Sequence, residues 1–235
     1  MWNQKKISIV LPVYNEEKGV KACIEDFFST GVVDEVIAVD NNSIDNSARL
    51  IKESQAKYFH EKTQGYGAAL QRGLKEAKGD YIVMAESDGT FIANDIFKFL
   101  AYVDEFDVIF GTRTSKSLIW SGAKMNLFLR VGNVVVAKLL EYLHNGPCLT
   151  DVGCTMKIIK KESLEKIQGQ FSVKGSHFNP EVMILTIKNK IKCVEIPVNY
   201  KERVGDSKIT SDFWKTFKLG IIMIGYIFKR RIKRK

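Results

Sequence analysis

Proline, cysteine and histidine are scarce in this 235-residue chain, at four, four and three copies. The cysteines, Cys23, Cys148, Cys154 and Cys193, never fall at a C-x-x-C spacing. His60, His144 and His177 are equally scattered. That scatter leaves no readable zinc site or disulfide framework and predicts buried, reduced thiols. Long apolar runs are also missing. Ile7–Val13 is short and interrupted by Pro12, too short for the apolar core of a signal peptide plus a cleavage site, and it reads as a first β-strand. The apolar stretch 219–228 has ten residues, against about 20 needed to span a bilayer. No internal repeat or low-complexity linker is visible. Neither a Walker Gly-Lys-Ser/Thr nor a G-x-G-x-x-G loop occurs.

What the chain does contain is an ordinary globular balance, 45% hydrophobic and 27% charged, and it is long enough to bury a sizeable core. The net charge is +9, but residues 229–235, Lys-Arg-Arg-Ile-Lys-Arg-Lys, carry six of those charges. Basicity concentrated in a tail after an apolar segment argues against a nucleic-acid-reading module. It suits an anionic membrane surface. With no leader read at the N-terminus, the expected location is peripheral, on the cytoplasmic side of a membrane.

The first hundred residues alternate β-like and helix-like segments. Strands are predicted at Ile7–Val13, Glu35–Asp40, Lys57–His60, Tyr81–Ala85 and Val108–Phe110. Helices are predicted over 16–28, through Ile51, over 67–77 and from Asn94 through Val103. This rhythm predicts a mostly parallel central sheet flanked by helices. Further along, helices are predicted over 124–143, 179–188 and 213–228, and strands over 155–159 and 191–198.

In such a sheet, ligands bind beyond the carboxyl ends of the strands. Three polar clusters fall there: Tyr14-Asn15-Glu16, Asp40-Asn41-Asn42 and Glu86-Ser87-Asp88. Carboxylates at 86 and 88, with Gly89 to permit a turn, can converge on a hard cation such as Mg²⁺ or Mn²⁺, or form a solvated acidic turn. Glu16 and Asp40 read either as nucleoside-binding acids or as helix-terminus residues. The loop Thr63–Ala69 can bring backbone N–H groups to a phosphate or serve as a plain turn. Arg203 and Lys208 flank Gly205 and can clamp phosphate oxygens or sit on a solvated basic loop.

Taken in order, these segments resemble glycosyltransferase family 2, and within it the dolichyl- or polyprenyl-phosphate sugar synthases. The resemblance rests on Ile9–Glu17 (Ile-Val-Leu-Pro-Val-Tyr-Asn-Glu-Glu), Val39–Asp45, Gly65–Ala69 through Tyr81, Glu86–Thr90, Thr150–Cys154 and Arg203–Lys208, and it covers about residues 7–210. It implies a GT-A fold over residues 1–210, followed by a membrane-interface helix and polybasic tail over 211–235. It implies inverting hexose transfer from a nucleoside-diphosphate sugar to a polyprenyl phosphate, using Mg²⁺ or Mn²⁺. Residue by residue, Pro12, Tyr14, Glu16, Asp40 and Gly67 would line the nucleotide-sugar site. Glu86 and Asp88 would serve metal and diphosphate, and Arg203 and Lys208 the phosphates. Asp151, with Glu181 as a second candidate, would orient the acceptor.

Two positions depart from the pattern. Glu86 stands where the family usually has Asp, and Asn41 stands where it has a second acid. Two alternatives accompany this reading: transfer to a sugar hydroxyl of a growing glycan, which would require a protein base, and a non-catalytic membrane scaffold. Many relatives carry transmembrane helices after this point, so a separate membrane subunit is a further expected partner; nucleic acid is not. In the C-terminal helix, Phe213, Phe217, Ile221, Ile224 and Phe228 form one stripe, expected to lie in the membrane interface.

Overall fold

A computed structural model describes residues 1–123, 125–205 and 213–232, with the side chains of residues 213 and 215 left out. Among the described residues seven strands form one sheet: β1 (Ile7–Val13), β2 (Glu35–Asp40), β3 (Lys57–His60), β4 (Tyr81–Met84), β5 (Val108–Thr112), β6 (Lys157–Lys160) and β7 (Cys193–Pro197). Eight α-helices accompany them among the described residues: α1 (Val20–Ser29), α2 (Ser47–Lys52), α3 (Tyr66–Glu76), α4 (Ile96–Leu100), α5 (Leu127–His144), α6 (Lys161–Gln168), α7 (Phe178–Lys188) and α8 (Phe213–Ile232).

The sheet order is β3-β2-β1-β4-β6-β5-β7, with β6 antiparallel to both neighbours and the other pairings parallel. β2 is buried throughout, and β1 is buried at every position but Pro12, as expected of parallel strands covered on both faces. Alternation sends Ile7, Ile9, Leu11 and Val13 into the layer built by α1 and α4, and Val10 into the layer built by α3, α5, α7 and α8. Because β6 runs backwards, its amino end joins the carboxyl ends of β1, β2, β4 and β5 at one rim.

The predicted β-α order is observed, with boundaries shifted by a few residues. Helix α6 went unread because it starts at Lys161, directly after β6 ends at Lys160, with no turn residue between them. Cys23 and Cys154 are buried as expected, whereas Cys148 is exposed and accepts a hydrogen bond from Lys138 Nζ at 3.3 Å.

α8 packs on α5 and α7. Its inner face is Met223 and Ile227, both buried in the same core as α5's Val136 and Leu140. Ile224 turns partly inward, leaving Phe217, Ile221 and Phe228 of the expected stripe exposed. No helix among the described residues is long and apolar enough to cross a membrane.

Candidate active site

The rim is built by loops that brace one another. After β1, Asn15 takes a left-handed backbone conformation (φ 54°), which asparagine tolerates better than most residues. Its N–H donates to Ser43 Oγ at 3.0 Å, its Oδ1 accepts from Ile44 N at 2.8 Å, and Glu16 N donates to Ser47 Oγ at 2.8 Å. Asp40, 3% exposed, accepts from Ser43 N at 3.1 Å. The departure at Asn41 has a physical reason. Its amide nitrogen donates to the carbonyls of Glu61 (2.9 Å) and Thr63 (2.8 Å), while its oxygen accepts from Gly65 N at 2.7 Å. An aspartate could accept but could not donate.

Beyond β4, Ser87 Oγ donates to Pro12 O at 2.8 Å and ties the acidic segment to the first loop. Asp88 Oδ1 accepts from Thr90 N (3.0 Å) and Thr90 Oγ1 (2.7 Å), and its Oδ2 accepts from Arg203 Nη1 at 2.6 Å. The second arm of Arg203 donates to Glu16 Oε1. One guanidinium therefore spans two carboxylates that sit 187 and 115 residues away in sequence. The Arg203 Nε–H is buried with no hydrogen-bond partner among the described residues. Burial pushes the Glu16 carboxyl up to about 7; Arg203 opposes this, and the charges of Asp88 and Glu86 add to it. Glu86 accepts from Thr155 Oγ1 at 2.5 Å and, weakly, from Tyr66 Oη at 3.4 Å. Burial raises its pKa, and Asp88 raises it further.

Arg113, one residue past β5, is held by Asp151. Nε donates to Oδ2 at 2.9 Å, Nη2 to Oδ1 at 3.0 Å, and the Arg113 N–H to Oδ2 at 3.0 Å. The guanidinium lies over the Tyr200 ring, 5.2 Å from its centre. Burial works against the charge on Asp151, but Arg113 outweighs it and holds the carboxyl below its ordinary value.

These groups open onto a cavity of about 710 Å³. Glu16, Glu86, Asp88, Arg113, Asn179 and Arg203 line one end, with Pro12 and Tyr14 beside them. The other end runs between two helices, along Phe128, Val131 and Val135 of α5 and Phe217, Ile221 and Ile224 of α8. Polar and apolar parts form one continuous space.

Pro12, Tyr14, Glu16, Glu86, Asp88 and Arg203 are thus brought together at one cavity. Four expected residues are not. Asp151 is fully buried, does not line the cavity, and presents Arg113 to it instead. Glu181 is also fully buried, behind the wall. Asp40 braces the loop after β2. Gly67, expected at the nucleotide-sugar site, does not line the cavity and is closely packed: a Cβ there would lie 2.5 Å from Val173 O and 2.9 Å from Phe178 Cβ. Lys208 lies outside the described residues. Arg113, Tyr66, Thr155 and Asn179 were missed. Arg113 could have been found by extending β5 to Thr112 and applying to it the strand-end rule that singled out Glu86.

Residues 8–168 match the model of glycosyl transferase family 2, and the chain belongs to that family. It is a glycosyltransferase, and its sheet and helices form the GT-A type fold. A dolichyl-phosphate hexose transferase of Haloferax volcanii is 26% identical over 206 residues, covering 86% of each chain. A UDP-N-acetylglucosamine–dolichyl-phosphate N-acetylglucosaminyltransferase of Methanococcus voltae is 26% identical, covering 83% of this chain and 85% of that one. A low-salt glycan biosynthesis hexosyltransferase of Haloferax volcanii is also 26% identical; the match covers 94% of this chain but only 55% of that protein, so the chain spans about half its length. Among solved structures, the glucosyl-3-phosphoglycerate synthase of Mycobacterium tuberculosis with Mn²⁺, uridine diphosphate and phosphoglyceric acid superposes with a TM-score of 0.75 at 19% identity, covering 99% of this chain and 80% of that one. The same enzyme with Mg²⁺ and uridine diphosphate gives 0.74.

Proposed function

We propose that this chain transfers a hexose from a nucleoside-diphosphate sugar to a polyprenyl phosphate, with inversion at the anomeric carbon, at the cytoplasmic face of a membrane. The observation that carries the reading is the continuity of the cavity. A site for charged groups at Glu86, Asp88, Arg113 and Arg203 opens without interruption into an apolar channel between α5 and α8. A phosphate with a long isoprenoid tail matches both ends; a water-soluble glycan would leave the channel unfilled. The named dolichyl-phosphate relatives support the same acceptor class.

In this reading Pro12, Tyr14, Glu16 and Asp40 shape the nucleoside end, and Glu86 and Asp88 would hold Mg²⁺ or Mn²⁺. Their oxygen donors fit a hard cation. The guanidinium already seated between Glu16 and Asp88 marks a place where positive charge is favoured. Among the described residues no cluster of three or more metal-ligating side chains exists, so diphosphate and water would complete the shell. The ion supplies charge neutralisation on the departing diphosphate.

Arg113, fixed by Asp151, faces the acceptor phosphate. Arg203 and Lys208 serve phosphate oxygens. The acceptor's phosphate oxygen forms a bond to the anomeric carbon as the bond to the diphosphate breaks. With a second pKa of about 6, that phosphate is already ionised near neutral pH and needs no protein base.

The outer surfaces of α5 and α8 would rest on the membrane. Leu127 on α5, and Ile222, Phe228 and Ile232 on α8, are exposed outside the cavity lining, and the basic tail favours anionic lipid. Residues 211–235 then act as an interface element on a 1–210 catalytic domain. A prenyl phosphate carrying a photoreactive group on its tail tests the assignment. Crosslinks at Phe128, Val131 or Ile221, competed by unlabelled prenyl phosphate, are expected. Crosslinks elsewhere, or none that compete, would refute it.

A further inference from the structure

The six hydrogen bonds converging on Glu181 have no part in the chemistry above. Its carboxylate is fully buried in the first turn of α7, behind the cavity wall. It accepts from Ser172 N at 2.9 and 3.1 Å, Ser172 Oγ at 2.7 Å and Val173 N at 2.9 Å. From α8 it accepts Tyr226 Oη and Arg230 Nη2, each at 2.6 Å. Arg230 Nε also donates to Tyr226 Oη at 2.5 Å, and Arg230 Nη2 lies 3.2 Å from Gln170 O and Ser172 Oγ. Burial works against the carboxylate's charge, yet the hydrogen bonds from Tyr226, Ser172, Val173 and Arg230 hold its pKa below the ordinary value. Arg230 belongs to the basic tail by sequence, but its side chain is turned inward onto Glu181.

The clasp joins two walls of the cavity. One is α8, which supplies Phe217, Ile221 and Ile224 to the apolar channel. The other is the segment after Ser172. Val173 O accepts from Gln71 Nε2 at 2.6 Å, and Lys174 O accepts from Ala68 N at 3.0 Å, bracing the start of α3, where Tyr66 faces the polar end. A helix end anchored by apolar contacts alone can slide or rotate among similar packings. A buried ion pair with directed hydrogen bonds allows one placement.

We infer that Glu181, Tyr226 and Arg230 are positioning residues that fix the register of α8 against α7 and thereby set the width of the channel that takes the acceptor's isoprenoid tail. This rests on the acceptor reading proposed above. The clasp acts on lipid binding and leaves the nucleotide end, built by β1, β2 and β4, in place.

The test uses the full chain with Arg230→Gln, Arg230→Lys and Tyr226→Phe. A long polyprenyl phosphate in detergent micelles is the acceptor probe, and uridine diphosphate with Mn²⁺ in calorimetry is the donor-site probe. Arg230→Gln is expected to raise the acceptor KM about tenfold while the uridine diphosphate Kd stays within about twofold. Arg230→Lys keeps the charge without the fork and should recover part of the loss, with Tyr226→Phe intermediate. An unchanged acceptor KM in Arg230→Gln overturns the inference. Equal loss of acceptor and nucleotide binding also overturns it, because that marks general damage to the fold. If the wild-type chain binds the nucleotide but transfers nothing to polyprenyl phosphate, the acceptor reading fails, and this inference fails with it.

Discussion

Asp151→Asn separates two roles that one acid can play. In the structure Asp151 is fully buried and compensates Arg113 through two side-chain bonds of 2.9 and 3.0 Å. Removing its charge leaves the guanidinium buried without a counter-ion, which costs about 3–5 kcal/mol. At about 2–4 °C per kcal/mol for a chain of this size, Tm should fall by roughly 6–20 °C. Differential scanning calorimetry reads this directly. Arg113→Met in the Asp151→Asn background removes the orphaned charge and should recover about half of the loss or more. It should not recover transfer, because the cavity has lost its guanidinium.

The pH dependence has a definite sign. The folded pKa of Asp151 lies below its ordinary value, so its contribution is complete above about pH 3.9 and is lost as pH falls through the folded pKa. The Tm gap between wild type and Asp151→Asn should therefore close in acid. An Asp151→Asn protein with wild-type Tm and collapsed kcat would refute the reasoning and place the carboxylate on the substrate.

Gly67→Ala should cost about 1–3 kcal/mol in urea unfolding, since its Cβ would meet Val173 O at 2.5 Å. Undiminished stability with lost nucleotide affinity would return Gly67 to the donor site. Ile222→Ser, Phe228→Ser and Ile232→Ser, all at exposed positions, should together weaken partitioning onto anionic vesicles by about tenfold or more at unchanged Tm. Unchanged partitioning would contradict the interface role of α8. Asn41→Asp loses the donor bonds to Glu61 and Thr63 carbonyls and should destabilise by about 1–3 kcal/mol in the same unfolding assay.

How much of this was legible follows from what each residue interacts with. The parallel core was readable because strand and helix periods are local, and Glu16, Glu86 and Asp88 were readable because strand-end acids stand out in such a pattern. Pairings across the fold were not. Arg113 meets Asp151 over 38 positions and Arg230 meets Glu181 over 49, and nothing near either residue marks its partner. Asp151 and Glu181 therefore looked like substrate-facing acids, though burial had turned both into anchors for arginines. The stripe on α8 was visible from spacing, yet which side faced the core depended on α5. Apolar residues occur all round that helix, so periodicity alone could not choose.

The central claim is transfer to a lipid phosphate from a metal-assisted donor site. The most direct measurement incubates the full chain with a panel of radiolabelled nucleotide-sugars, a polyprenyl phosphate and Mn²⁺ or Mg²⁺, followed by solvent partition and mass analysis of the product. The account predicts label in the lipid phase as a hexosyl phosphoprenol, abolished by a chelator. Label found only in water-soluble oligosaccharide, or transfer to lipid undiminished in chelator, would contradict it.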